Sequence, residues 1–264
     1  MNTNKIDKLC AAIDAQDPPA IARQIAKIEN YDQIGSKGAS PLMTACYRHD
    51  HQTMLKLLNA GADPDYSGQN ISPLMSILSL SSLNSRHDRT TEKSLKTMEI
   101  LLQAGADVDQ VSGTDLATPL MTVERPEQLE RLLKAYPNLN QKDADQNTAL
   151  HRLVKKSHMY RHPAVNMEFD QIIEMIEMLI KQGADITIKN THGETAGDLL
   201  PPPTNRLGTN PYLKALFDKG NDAQTRETYR GFRNQVQELR ITERAKQIRK
   251  TIGQGKKIGI KRRI

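Results

Sequence analysis

Three histidines, His151, His158 and His162, are spaced by 7 and 4 residues, steps that return to nearly the same face of an α-helix. With a fourth ligand such a row could hold Zn²⁺. Pro163 follows at once and ends any helix there, so no metal is expected. His49 and His51 flank Asp50 and read as a turn closed by a local hydrogen bond. Cys10 and Cys46 lie on apolar helical stripes and read as inert core thiols, since a reactive thiolate needs an exposed, electropositive setting. No nucleophile is paired with a base, and neither a Gly-rich phosphate loop nor Gly-x-Ser-x-Gly is present. The expectation is a chain with no catalytic residues, no cofactor and no metal.

The elements around these residues recur. "NAGADPDYSG" (59–68) returns as "QAGADVDQVSG" (103–113) and "KQGADITIKN" (181–190), each after a Leu- or Ile-rich run. Gly in that place is a helix C-cap, taking the left-handed conformation that a Cβ disfavours. Gly105 is therefore expected to be sensitive to a side chain, and Gly113, in an exposed loop, tolerant of one. Upstream stands a second marker: "SPLM" at 40–43 and 72–75, "TPLM" at 118–121, "TALH" at 148–151. Ser or Thr caps a first helix, and Pro occupies its first turn, where a missing N–H costs nothing. A second helix follows, such as "QTMLKLLNAG" (52–61).

A helix pair opened by Ser/Thr-Pro-Leu and closed by Gly-Ala-Asp, some twenty residues later in the first copy, resembles the ankyrin repeat, a helix–turn–helix unit of about 33 residues, over roughly residues 35–216. His is replaced by Met in three of the four copies, and "AYPNLN" (135–140) stands where the third Gly-Ala-Asp belongs, with Tyr136 in the Gly place. A fifth, degenerate copy is "HGETAGDLL" (192–200). His151 falls on the family's structural His, Cys46 on its small buried Ala, and His49-Asp50-His51 where the family carries Gly-His. From cap to Gly place the copies take 21, 33, 18 and 35 residues. Copies two and four therefore carry insertions between their helices, near 81–92 and 157–170, expected on one edge of the array.

The resemblance implies an all-α ankyrin-repeat solenoid of helix–turn–helix repeats with helical caps and a basic helical C-terminal extension. Its divisions are a helical cap over 1–34, the array over 35–220, and the extension over 221–264. It also implies non-catalytic binding of a partner protein through inter-repeat loops and the concave face of the first helices. The loop candidates are Tyr66, Gln69, Asp109, Gln110, Asp143, Asp145 and His192; the concave-face candidates are Tyr47, Arg48, Ser79 and Lys155. Tyr and Arg carry most weight because they dominate interface hot spots. Similar small bacterial proteins are delivered into host cells as effectors.

Composition agrees with thin stacked layers. Apolar residues make up 37%, aromatics 4%, and Trp is absent, lean for one large core and sufficient for neighbours that bury each other. Two unspaced cysteines fit a reduced, cytoplasmic setting, and a monomer is expected. No apolar run approaches the roughly 18–20 residues of a membrane span, and the first residues lack the pattern of a cleaved secretory signal. The net charge of +6 is split: residues 223–264 hold 13 Lys/Arg against 3 Asp/Glu, and residues 1–222 are net −4. Within the extension Tyr229, Phe232, Val236 and Leu239 form one helical stripe, and Ile241, Ala245, Ile248 and Ile252 form another on nearly the opposite side. Lys256, Lys257, Lys261, Arg262 and Arg263 are candidates for contact with nucleic acid, an anionic membrane or an acidic protein; a solvated end is the plain alternative.

Overall fold

The computed structural model describes residues 3–68, 71–83, 88–157, 166–200 and 211–220. Its helices are α1 (Thr3–Asp14), α2 (Pro18–Ile25), α3 (Pro41–Tyr47), α4 (His51–Asn59), α5 (Pro73–Leu83), α6 (Asp88–Gln103), α7 (Pro126–Leu133), α8 (Ala149–Ser157), α9 (Asn166–Lys181) and α10 (Pro211–Gly220), with a 3₁₀ turn at Pro119–Met121. There are no named strands among the described residues; isolated bridges, Ser112 with Ala117 and Lys189 with Thr195, close two loop fingers.

Local chemistry starts α3 and α5 as the Ser-Pro markers predict. Ser40 Oγ accepts the Met43 amide at 3.1 Å, and Ser72 Oγ accepts that of Met75 at 3.3 Å. Asp50 caps α4 by accepting the Thr53 amide at 3.1 Å, and Asp17 does the same for α2 through Ala20. Each satisfies a donor with no partner inside the helix. The ends are equally regular: Gly61, Gly105 and Gly183 have φ of 101°, 97° and 89°, and Tyr136 takes the same place with φ of 54°. Gly113 also has a positive φ, 77°, so the expectation that it tolerates a side chain is corrected: its exposed loop is bent by a left-handed residue.

The helices stack in two rows. The inner row is α1, α3, α5, the 3₁₀ turn and α8, each packed on the next; the outer row brings α4 against α6, α6 against α7, and α7 against α9. One continuous apolar cluster runs between them, from Leu9 and Ile13 through Leu42, Leu74, Leu101, Leu129 and Val154 to Ile176 and Phe217. No unit could bury this surface alone, which is why the layers hold one another.

The third unit departs from helix–turn–helix. Its cap, Thr118, lies three residues closer to the start of its second helix than Ser40 does in the first unit. Pro126 opens α7 and biases Arg125 away from helical geometry, leaving room for one 3₁₀ turn. Gln128 completes the start of α7, its side-chain oxygen accepting the Glu124 and Arg125 amides at 2.9 and 3.2 Å. The insertions are also more helical than expected. α5 runs to Leu83, α6 begins at Asp88 and α9 at Asn166, so parts of 81–92 and 157–170 lengthen helices rather than form loops. The fifth copy makes only a turn near Ala196, against which α10 packs: Phe217 lies close to Gly197.

Candidate protein-interaction surface

The loops are tied together before they present anything outward. Asn30 accepts the Asp32 amide, and Asp32 accepts that of Asp63. Asp63 accepts the Asp65 amide, and Asp65 accepts that of Asp107. The pattern repeats from Asp107 to Asp109, Asn138, Asn140, Asp185 and Thr187, with distances of 2.7–3.2 Å. Each of the first four loops thus contributes an Asx pair two residues apart: the first closes its own turn, the second reaches the next unit. Such turns are what short acidic and amide side chains do well.

The histidines are part of the same framework. His151 is buried; Thr148 lies against its Nδ1 at 2.8 Å, and its Nε2 sits 3.2 Å from the Glu194 carbonyl in the following loop. Burial holds its pKa below the ordinary value. His158 and His162 lie outside the described residues, and among the described residues no group of three metal-ligating side chains gathers. His49 and His51 correct the expectation of a local turn bond: both rings converge on Thr97 Oγ1 of α6, at 3.0 and 3.1 Å. Desolvation, then His51 and Lys93, lower the pKa of His49. Burial raises the thiols of Cys10 and Cys46.

Several predicted contact residues belong to this framework. Asp143 is buried and accepts amides from Asp145 and Asn147 while pairing with Arg152 Nε at 2.8 Å; Arg152 also reaches Asp115 at 2.8 Å. Asp109 caps Asn138, and Gln110 donates to the Asp65 carbonyl at 3.2 Å. Arg48 is turned toward the cap, paired with Asp14 at 3.0 Å. Ser79 is exposed but donates back to the Met75 carbonyl. Lys155 is exposed and donates to Asn147 at 3.2 Å, while Asp145 and His192 are exposed at loop tips. Gln69 and the five basic residues at 256–263 lie outside the described residues.

Tyr47 and Tyr66 are brought together. They line one cleft between the first two loops, with Ile34, Met43 and Ile71 along its walls. Tyr47, Ile71, Val111 and Leu116 are 43–48% exposed, Tyr47 at the end of α3 and the other three on loops. Ile34, Ile71, Val111 and Leu116 were not among the predicted contacts; their signal is an apolar residue within two or three positions of Gly or Ser in an otherwise polar loop. A second cleft, on the outer row, is lined by His51, Lys93, Lys96, Glu99 and Arg131. Its charges answer one another, with Glu99 bridging Lys96 and Arg131 at 3.3 and 3.0 Å.

The family model for the ankyrin repeat matches residues 37–69 and 145–191. Among solved structures, the chain is similar to EF0377, an ankyrin repeat protein, with a TM-score of 0.58 and 16% identity, covering 81% of this chain and 96% of that one. It is also similar to a chain in the complex of the predatory endopeptidase Bd0816 from Bdellovibrio bacteriovorus with immunity protein Bd3460, with a TM-score of 0.50 and 22% identity over 73% of this chain and 89% of that one. A search of curated proteins gives no match. With its repeated capped helix pairs and its left-handed closures, the chain carries ankyrin repeats at 37–69 and 145–191 and has the fold of an ankyrin-repeat solenoid.

Proposed function

We propose that the protein is a non-catalytic module that binds a partner protein across its loop tips and inner helix row. Ankyrin repeats generally mediate protein–protein interaction. The observation that carries the reading is the cleft where Tyr47 and Tyr66 stand beside exposed Ile71. Interfaces concentrate their energy in such aromatic and aliphatic anchors. One structural neighbour comes from an endopeptidase–immunity protein complex, which fits a solenoid of this shape working inside a protein assembly. The test compares wild type with Tyr47→Ala/Ile71→Ser as bait in a lysate of the source organism. A partner held by wild type and lost by a variant of unchanged melting temperature supports the reading; a partner held equally by both removes the cleft from it.

A second reading rests on the charge of residues 223–264, net +10: Lys256, Lys257, Lys261, Arg262 and Arg263 engage a polyanion. Binding to duplex DNA, RNA or anionic vesicles that weakens steeply with salt and is lost on changing those five residues to Gln supports it. Absence of binding to all three at low salt overturns it.

A further inference from the structure

The five segments that link the units, residues 28–39, 60–72, 104–118, 134–148 and 182–195, hold eleven Asp or Glu and four Lys, a net charge of −7. Residues 1–222 together are net −4, so the body's negative charge is concentrated on its loop edge. Segments 60–72 and 104–118 are the extreme, with five acidic residues and no Lys or Arg. The same two segments present the exposed side chains of Ile71, Val111 and Leu116. An edge that alternates carboxylates with apolar tips fits a basic amphipathic helix, because it offers both a field and a surface to bury.

The chain carries such a segment. Residues 223–252 hold eight Lys/Arg and three Asp/Glu, and Tyr229, Phe232, Val236 and Leu239 recur at helical spacing within them. We propose that this segment of the same chain docks on the loop edge. Its apolar stripe covers Val111, Leu116 and Ile71, and Arg233, Arg240 and Arg244 lie beside Asp63, Asp65, Asp107 and Asp109. The lengths agree. Residues 229–239 as a helix are about 16 Å long, and units stacked at helix-packing distance are about 10 Å apart, so the stripe covers two neighbouring loops. The eight residues from 221 to 228 reach at most about 28 Å when extended, enough to return from α10 past two units. Tethering raises the effective concentration to the millimolar range, so a modest contact suffices. The docked segment would compete with any ligand for the loop tips, and it stands whether or not the inner face binds a protein.

Carbodiimide cross-linking of the full chain, in an equal mixture of isotope-labelled and unlabelled copies, tests this directly. The expected products are amides within one copy between Lys246 or Lys250 and Asp63, Asp65, Asp107 or Asp109. They should be lost at high salt, where the field is screened, and in Phe232→Ser/Val236→Ser, which keeps every charge and every carboxylate. Products joining different copies only would assign the edge to a second molecule. That result, products elsewhere on the array, no products, or products that persist in the Ser variant would each overturn the proposal.

Discussion

Asp65 receives the backbone N–H of Asp107 on both carboxylate oxygens, at 2.8 and 3.0 Å. The bond joins one unit to the next across 42 residues of sequence and needs an acceptor, not a charge. The third unit makes the point itself, since Asn138 and Asn140 hold the same places. Asp65→Asn should therefore keep the melting temperature close to wild type, whereas Asp65→Ala should cost about 1–3 kcal/mol by leaving a half-buried amide without a partner. Denaturant titration of both variants decides it; equal losses would mean that the charge matters more than the bond.

The Thr118 hydroxyl is buried and has no hydrogen-bond partner among the described residues, while its counterpart Thr148 lies against His151. Met121 stands where the fourth unit has that His. Replacing an unsatisfied buried hydroxyl by a methyl is neutral or favourable, and replacing a satisfied one is not. Thr118→Val is expected to hold or raise the melting temperature, and Thr148→Val to lower stability by about 1–2 kcal/mol. A loss of the same size in both would show that the third cap is bonded after all.

Gln146 has φ of 61° at the place where Gly38 and Gly193 have 80° and 77°. A side chain in the left-handed region costs about 1–2 kcal/mol, part of which glycine gives back as unfolded-chain entropy. Gln146→Gly should stabilise the protein by about 0.5 kcal/mol, read as a small rise in the denaturant midpoint. A fall would assign Gln146 a contact that matters more than its backbone.

Stability should fall as pH drops from 7 toward 5. His49 and His151 both titrate below their ordinary value because burial disfavours the charged form. A group with a depressed folded pKa contributes stability in full above its unfolded pKa of about 6.5 and loses it as pH falls through the folded value. The carboxyls of Asp14 and Asp115, held down by bonds from Lys37, Arg48 and Arg152, lose their contribution only at lower pH. His49 has φ of 51°, so His49→Asn, which suits a left-handed residue and removes one titration, should narrow the difference between the melting temperatures at pH 7 and pH 5. An unchanged difference would leave His151 as the sole source.

The architecture was legible because its signals are local. Ser or Thr before Pro, and Gly after a Leu run, act through their own backbone, and Tyr136 could be placed in the left-handed closure by register alone. The third unit was half legible: the shorter spacing is plain in the sequence, but that the missing residues come from the first helix follows only from Pro126 fixing the start of α7. The surface was harder. Asp109 and Asp143 read as exposed loop carboxylates, yet in the fold they accept amides from residues 29 and 4 positions away. Ile71, Val111 and Leu116 carry no polar function, and only the bend of each loop turns them outward.

The ladder of loop carboxylates and amides has a direction: in every link between units the acceptor lies upstream and the donor downstream. An emerging chain thus has its acceptor already in place, on Asp32, Asp65, Asp109 or Asn140, before the amide it will receive has been synthesised. Each unit leaves the ribosome to find a waiting dock, so the array can be zipped up vectorially, from its first residue toward its last, with Thr187 as the end of the zip.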